Sequence, residues 1–197
     1  MAWNGVHVRR ADDSDLDTVL ALTAELREGL LQGRGRLASR AAAAERYAEV
    51  LTDDTCEIAL AVCGEGDAED VIGMAVLSVA RTNALLELPA VHVTHVVVSS
   101  AHRRRGAGRA LVARAAAFAD ERGLEQIVVS VPPASREAAR FFARLGLAPI
   151  SVRRAAPVAL VRRRLAALER TPEPVVRRAR RLAARPALAR PGDRSGS

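Results

Sequence analysis

The chain has 197 residues, enough for one core-forming domain with an appendage and too few for two full domains. Its opening ten residues carry no apolar run of a secretory signal, and no stretch approaches the roughly 20 apolar residues that span a bilayer. The expectation is a soluble, cytoplasmic protein with no membrane span. The net charge of +7 divides unevenly: residues 1–152 hold 17 arginines against 20 carboxylates, residues 153–197 hold 13 against 3, and there is no lysine.

A short alternating start, Trp3 to Arg9, reads as a strand. The acidic cluster Asp12, Asp13, Asp15 and Asp17 then precedes Leu16, Val19, Leu20, Leu22, Leu26 and Leu30 at helical spacing. Carboxylates in a first turn favour the helix dipole. Gly29, Gly33 and Gly35 break that pattern, and Ser39 to Leu51 forms a second, Ala-rich helix. Two strands follow, Cys56–Val62 and Val71–Val79, joined by the turn-like cluster Gly64, Glu65, Gly66 and Asp67. Cys56 and Cys63 stand seven apart, so they point to opposite faces and are expected to be reduced core residues. A metal site would need more ligands at tighter spacing, and none is expected.

Val91–Val98 gives the strongest strand signal. After it come Ser99, Ser100 and Ala101, an arginine cluster, Gly106 and Gly108, and a helical run from Ala107 to Arg122 closed by Gly123. Gln126–Val131 reads as a strand, Ser135–Leu145 as a helix ended by Gly146, Leu147–Val152 as a further strand, and Pro157–Val161 as a last one. The order is β-α-α-β-β-β-α-β-α-β(-β), a mixed sheet of six to seven strands flanked by about four helices. From about Arg162 arginine clusters alternate with prolines; a short helix is expected at 175–184 and disorder at the end. The domain is placed at residues 1–164 and the basic tail at 165–197.

The chemistry concentrates where Val96, Val97 and Val98 lead into Arg103, Arg104, Arg105, Gly106, Ala107, Gly108 and Arg109. A helix N-terminus presents backbone N–H groups without intrahelical partners at the positive end of its dipole, which suits a pyrophosphate. Glycines let the backbone approach phosphate oxygens, and the arginines add charge-assisted bonds. A glycine pair in a basic turn fits a plain structural turn equally well. The dinucleotide fingerprint lacks its third glycine and later acidic residue, and the P-loop lacks its Lys-Ser/Thr.

Arg103-x-x-Gly106-x-Gly108 resembles the Q/R-x-x-G-x-G/A acyl-CoA pyrophosphate signature of the GNAT superfamily. The segment from Ser135 through Phe141, Phe142 and Gly146 is similar to that family's later helix, with its aromatic pair. The resemblance spans roughly Val6 to Arg162. It implies transfer of an acetyl or short acyl group from acetyl-CoA to an amine, with Val96–Val98 pairing along the pantetheine arm and a backbone N–H near Val97 or Val98 polarising the thioester carbonyl. It further implies CoA contacts from Ser135 and Phe142.

An alkyl ammonium must lose a proton before its nitrogen attacks. The resemblance makes His92 the first candidate base, and a histidine suits the task because imidazole titrates near neutrality. Thr94 shares its face by strand alternation and is placed to order a water; His95 points the other way unless a bulge resets the parity. A packed core histidine is the competing account. The family's usual acid is a tyrosine at the position of Phe142, which has no proton to give, so either water or another group protonates the leaving thiolate or the thiolate leaves unaided; a thiol pKa of about 8.5 permits the last. Without lysine the chain cannot acylate its own lysines.

Acceptor choice in such enzymes falls largely to the first two helices and their loop, here around Gly29–Ser39, and to the last strands. Homodimer formation through last strands is a familiar arrangement of the superfamily. Two other readings stand beside the enzyme: a catalytically weak acyl-CoA-binding sensor, motivated by Phe142 and Ser135, and a nucleic-acid-associated protein acting through its basic tail.

Overall fold

A computed structural model describes residues 5–31, 39–64, 66, 69–81, 88–132, 135–152 and 154–170. Five strands form one sheet in the order β1-β2-β3-β4-β5: β1 (Val6–Arg10), β2 (Cys56–Cys63), β3 (Asp70–Ala80), β4 (Ala90–Val98) and β5 (Ile127–Val129). The first three pairings are antiparallel and β4 runs parallel to β5. Five α-helices accompany it: α1 (Leu16–Leu31), α2 (Arg40–Thr52), α3 (Ala107–Asp120), α4 (Arg136–Arg144) and α5 (Val158–Arg170). α1 runs through Gly29 rather than breaking there.

Both faces of the sheet are covered, as the unbroken apolar runs of β2 and β3 require. On one face Ala59, Ala61, Ala75 and Leu77 pack against α3, whose Ala107, Ala110, Ala115 and Ala119 are buried with Leu111 and Phe118. Small residues on both surfaces bring the helix close to the strands, and Phe118 fills the wider end. On the other face Ile58, Leu60, Val62, Met74 and Val97 meet Val19 and Leu22 of α1 and Tyr47 of α2.

Two ion pairs fix the helices to the strands. Arg114 of α3 grips the buried Glu57 of β2 with both arms of its guanidinium, at 2.7 and 2.5 Å. Arg9 of β1 binds Asp15 the same way, at 2.7 and 2.9 Å, and Asp15 also accepts from Asp12 N. Asp15 thereby closes a capping box over the turn that opens α1. The bonds from Arg9 hold the Asp15 carboxyl below the usual carboxylate range.

Three sequence expectations are corrected here. The sheet has five strands among the described residues, not six to seven, and α5 makes five helices where about four were expected. Leu147–Val152 forms no strand: Leu147 N returns to Phe142 O at 3.1 Å to finish the cap of α4, Pro149 offers no N–H to a ladder, and Ile150 and Val152 are exposed. Pro157–Val161 opens α5 instead of a strand. Leu160 N and Val161 N both donate to Pro157 O, and a proline's fixed φ suits a helix start.

The described residues divide after Leu147 into two compact units, and the expected boundary at residue 164 falls inside α5. The 175–184 helix expected in the tail lies outside the described residues, as do residues 32–38 of the expected acceptor loop. Among the described residues no helix is long and apolar enough to cross a membrane, and no group of three His, Cys, Asp or Glu is placed to hold a metal.

Because the Asp15 pKa is lowered on folding, the stability it adds is present above the ordinary carboxylate pKa and is lost as pH falls through the lowered value. Asp15→Asn should therefore cost about 2 kcal/mol at neutral pH, with the gap to the parent chain closing as pH falls through the lowered Asp15 value, as measured by urea unfolding across pH. A gap that does not change with pH would contradict the pairing. At Gly73 an added Cβ would sit 2.7 Å from Val97 O and 3.3 Å from Val98 Cα, both backbone atoms of β4. Gly73→Ala should lower stability by about 1–3 kcal/mol in the same assay, because β4 must move to admit it.

Candidate active site

β4 is bonded on both sides only as far as Val93. Its parallel pairing with β5 runs Val91↔Ile127, His92↔Val128, Val93↔Val129 and ends with Ser130 N donating to Val93 O at 3.0 Å. From Thr94 to Val98, among the described residues, β4 pairs with β3 alone. The backbone groups on its other side form an edge inside the fold, which an extended ligand can join as an added strand.

A bulge lies at the same place. Val76 pairs with Thr94 and Met74 with Val97, so Ala75 opposes both His95 and Val96. His95 takes φ 50, a left-handed conformation that costs a non-glycine residue about 1 kcal/mol or more. The extra residue shifts the alternation: Val91 and Val93 before it and Val96 and Val98 after it all pack on the α3 side, while Val97 joins the α1–α2 side. This is the parity change on which the sequence reading of His95 depended.

The three candidate side chains of β4 are placed differently. His92 is buried opposite Ser78 and Val128, in the part of the strand that is paired on both sides. His95 is exposed just past the parting, with Nδ1 3.1 Å from Thr94 Oγ1. The Thr94 hydroxyl donates to Val76 O at 3.4 Å, which leaves its oxygen lone pairs to accept from an N–H. A neutral His95 that carries its hydrogen on Nδ1 would donate to that oxygen and keep its lone pair on Nε2.

Beyond β4 the chain is held from three directions. Ser99 N donates to Ile72 O at 2.9 Å, Ser100 N donates to the Glu25 carboxylate of α1 at 3.0 Å, and His102 Nε2 lies 3.5 Å from Asp70 Oδ2. His102 Nδ1 is buried without a hydrogen-bond partner among the described residues, a polar atom unspent in this turn. Arg104 then takes φ 65 and Gly106 φ 98, and Gly106 caps α3. Ala110 N makes a helical bond to Gly106 O at 3.0 Å, so the N–H groups of Ala107 and Gly108 precede it at the positive end of the helix dipole. Arg103, Arg104, Arg105 and Arg109 are exposed around them.

α4 borders the turn through Phe141. A Cβ built on Gly108 would touch Phe141 Cζ at 3.4 Å, and Phe142 is buried edge-on to Phe141 with centroids 5.0 Å apart. The Ser135 hydroxyl accepts from Ala138 N at 3.4 Å and caps α4. Tyr47, the only tyrosine, donates its hydroxyl to Asp12 O, and burial together with Asp15, Asp12 and Asp13 pushes its phenol up to about 12.

Gly73, Glu25, Asp70 and His102 escaped the sequence reading. Glu25 is 75 positions from Ser100, and a carboxylate on the polar side of an amphipathic helix carries no local signal of such a bond. Gly73 was legible only as a glycine within a strand, a pattern that marks a bulge or close backbone approach.

Residues 25–147 match the model of the acetyltransferase (GNAT) family. No curated protein matches the chain in sequence. Among solved structures, a transcriptional regulator from Bacillus halodurans C-125 is 23% identical, covering 77% of this chain and 99% of its own, with a TM-score of 0.65. Glucosamine-6-phosphate N-acetyltransferase from Arabidopsis thaliana is 16% identical, with 78% and 98% covered and a TM-score of 0.59. An aminoglycoside acetyltransferase from an uncultured soil metagenomic sample, solved with sisomicin, is 16% identical, with 79% and 97% covered and a TM-score of 0.61. These likenesses establish a common fold, and with a family match over more than half of its length the chain belongs to the GNAT acetyltransferase family.

Proposed function

We propose that the chain transfers an acetyl or other short acyl group from acyl-CoA to a primary amine by direct attack in a ternary complex. The observation that carries this reading is the parting of β4 from β5 after Val93, immediately before a glycine turn at a helix N-terminus. The residues fit the cosubstrate. Val96, Val97 and Val98 offer strand backbone to an amide-bearing arm, while Ala107 and Gly108 offer N–H groups, and Arg103, Arg104, Arg105 and Arg109 positive charge, to phosphate. The unspent Nδ1 of His102 adds a polar atom in the same turn.

Acetyl-CoA supplies an activated acyl group to which the amine nitrogen adds. A backbone N–H near Val97 or Val98 is assigned to the acyl oxygen, where charge develops. For the base the geometry favours His95 over His92: its Nδ1 lies against Thr94 Oγ1, which orients the ring, and it stands exposed where the strands part. His92, buried on the paired section, is then a packing residue or reaches the acceptor through water. No tyrosine acid is assigned, since Phe142 has no proton and the Tyr47 hydroxyl is committed to Asp12. The leaving thiolate departs unaided, as a thiol pKa of about 8.5 allows.

The buried Phe142 also suits the second reading, an acyl-CoA-binding sensor with weak turnover. Incubation with acetyl-CoA and a panel of primary amines separates the two. The transferase reading expects amine-dependent thiol release, and binding without release across the panel favours the sensor.

With a responsive amine, His95→Gln should lower kcat/KM by about 10²–10⁴ and remove the acidic limb of its pH profile. If His92→Gln does this instead, the base is His92. Gly106→Ala should weaken acetyl-CoA binding about tenfold in calorimetry, because its φ of 98 strains any side chain and the turn must relax. Unchanged affinity would remove the turn from the site.

A further inference from the structure

α5 places Val158, Val161, Leu165 and Leu168 at intervals of three and four residues, and they are 64, 45, 54 and 70% exposed. At 100° per residue these four fall within an arc of about 80°. Arg162 and Arg164 flank that arc on its two sides, and Arg163 lies on the opposite side of the helix; all three are exposed. An apolar row of this kind in water marks a surface that is covered in use.

Charge selects among the coverings. Residues 153–197 carry 13 arginines and 3 carboxylates. A second copy would bring two such segments together along a row shorter than two heptads, little length for a two-stranded coil to offset the repulsion. A nucleic acid would answer the arginines but not four branched apolar side chains, and residues 153–197 have no aromatic residue to stack on bases. An anionic bilayer answers both features. Aliphatic side chains enter the boundary between headgroups and acyl chains, and flanking arginines extend along the surface to lipid phosphates. At 13 residues the helix is too short to span and suited to lie in the interface.

We propose that α5 docks the protein on anionic membrane surfaces through its Val158–Leu168 stripe, with the flanking Arg162 and Arg164 gripping the headgroups. The partner is a lipid surface, and the acyltransfer reading is not needed for it.

The test is co-sedimentation of the full chain with vesicles of phosphatidylcholine alone or mixed with phosphatidylglycerol. Binding is expected only with the anionic lipid. Leu165→Ser with Leu168→Ser should weaken it by at least about tenfold, and Arg162→Gln with Arg164→Gln by about thirtyfold. All these side chains are exposed, so thermal unfolding should confirm that each variant stays folded. Three results would each overturn the proposal. The first is no binding to anionic vesicles. The second is binding that the serine variant leaves undiminished, which charge alone would explain. The third is a serine variant that turns a dimer into a monomer in sedimentation velocity while vesicle binding is unchanged.

Discussion

β5 follows β4 for three residue pairs and then leaves it, and the rest of the structure arranges itself around that departure. A parallel strand that continued alongside would consume those N–H and C=O groups of Thr94–Val98 that face away from β3. With Ser130 N as the last donor to Val93 O, those groups open instead onto the space between the strands. The bulge at His95 and Val96 adds twist at the same point and turns Val96 and Val98 toward α3. Gly73 permits the close approach of β3 behind them, where a single methyl group would collide with the Val97 carbonyl.

Such an edge keeps its shape only if the surrounding layers are stiff. α3 is held over the sheet by the alanine-lined contact and by Arg114 on Glu57, which fixes where its N-terminus ends and so where the turn presents its N–H groups. α1 is held at its start by Asp15 and Arg9, and along its length by the Glu25 carboxylate on Ser100 N. Glu25 ties the helix that leads into the expected acceptor loop to the turn that would receive phosphate. The two halves of the proposed ternary complex thus share one hydrogen bond.

Much of this was legible in sequence. The strand, basic turn and helix from Val91 to Arg122 have a periodicity that switches from two to 3.6 residues across a glycine pair, and the structure follows it. The hairpin of β2 and β3 and the two covering helices were equally plain. What sequence could not carry was long-range. The bulge depends on how β3 pairs with β4, the unspent nitrogen of His102 on burial, and Glu25 on a contact 75 residues away. The last strands failed for a different reason: Ala148, Ile150 and Val152 alternate like a strand, but among the described residues no strand pairs with them and Pro149 interrupts the donors. At α5 a proline and a heptad-spaced row were read as β-alternation over five residues, too short a window to distinguish the periods.

The central claim is that the parted edge of β4 and the turn at Gly106 together form the acyl-CoA site, and backbone hydrogen exchange measured with and without acetyl-CoA tests it most directly. The account predicts that ligand slows exchange at Thr94–Val98 and at Gly106–Arg109, leaving β1 and β2 unchanged. Binding that leaves both segments unprotected, or protects another part of the sheet, would contradict it.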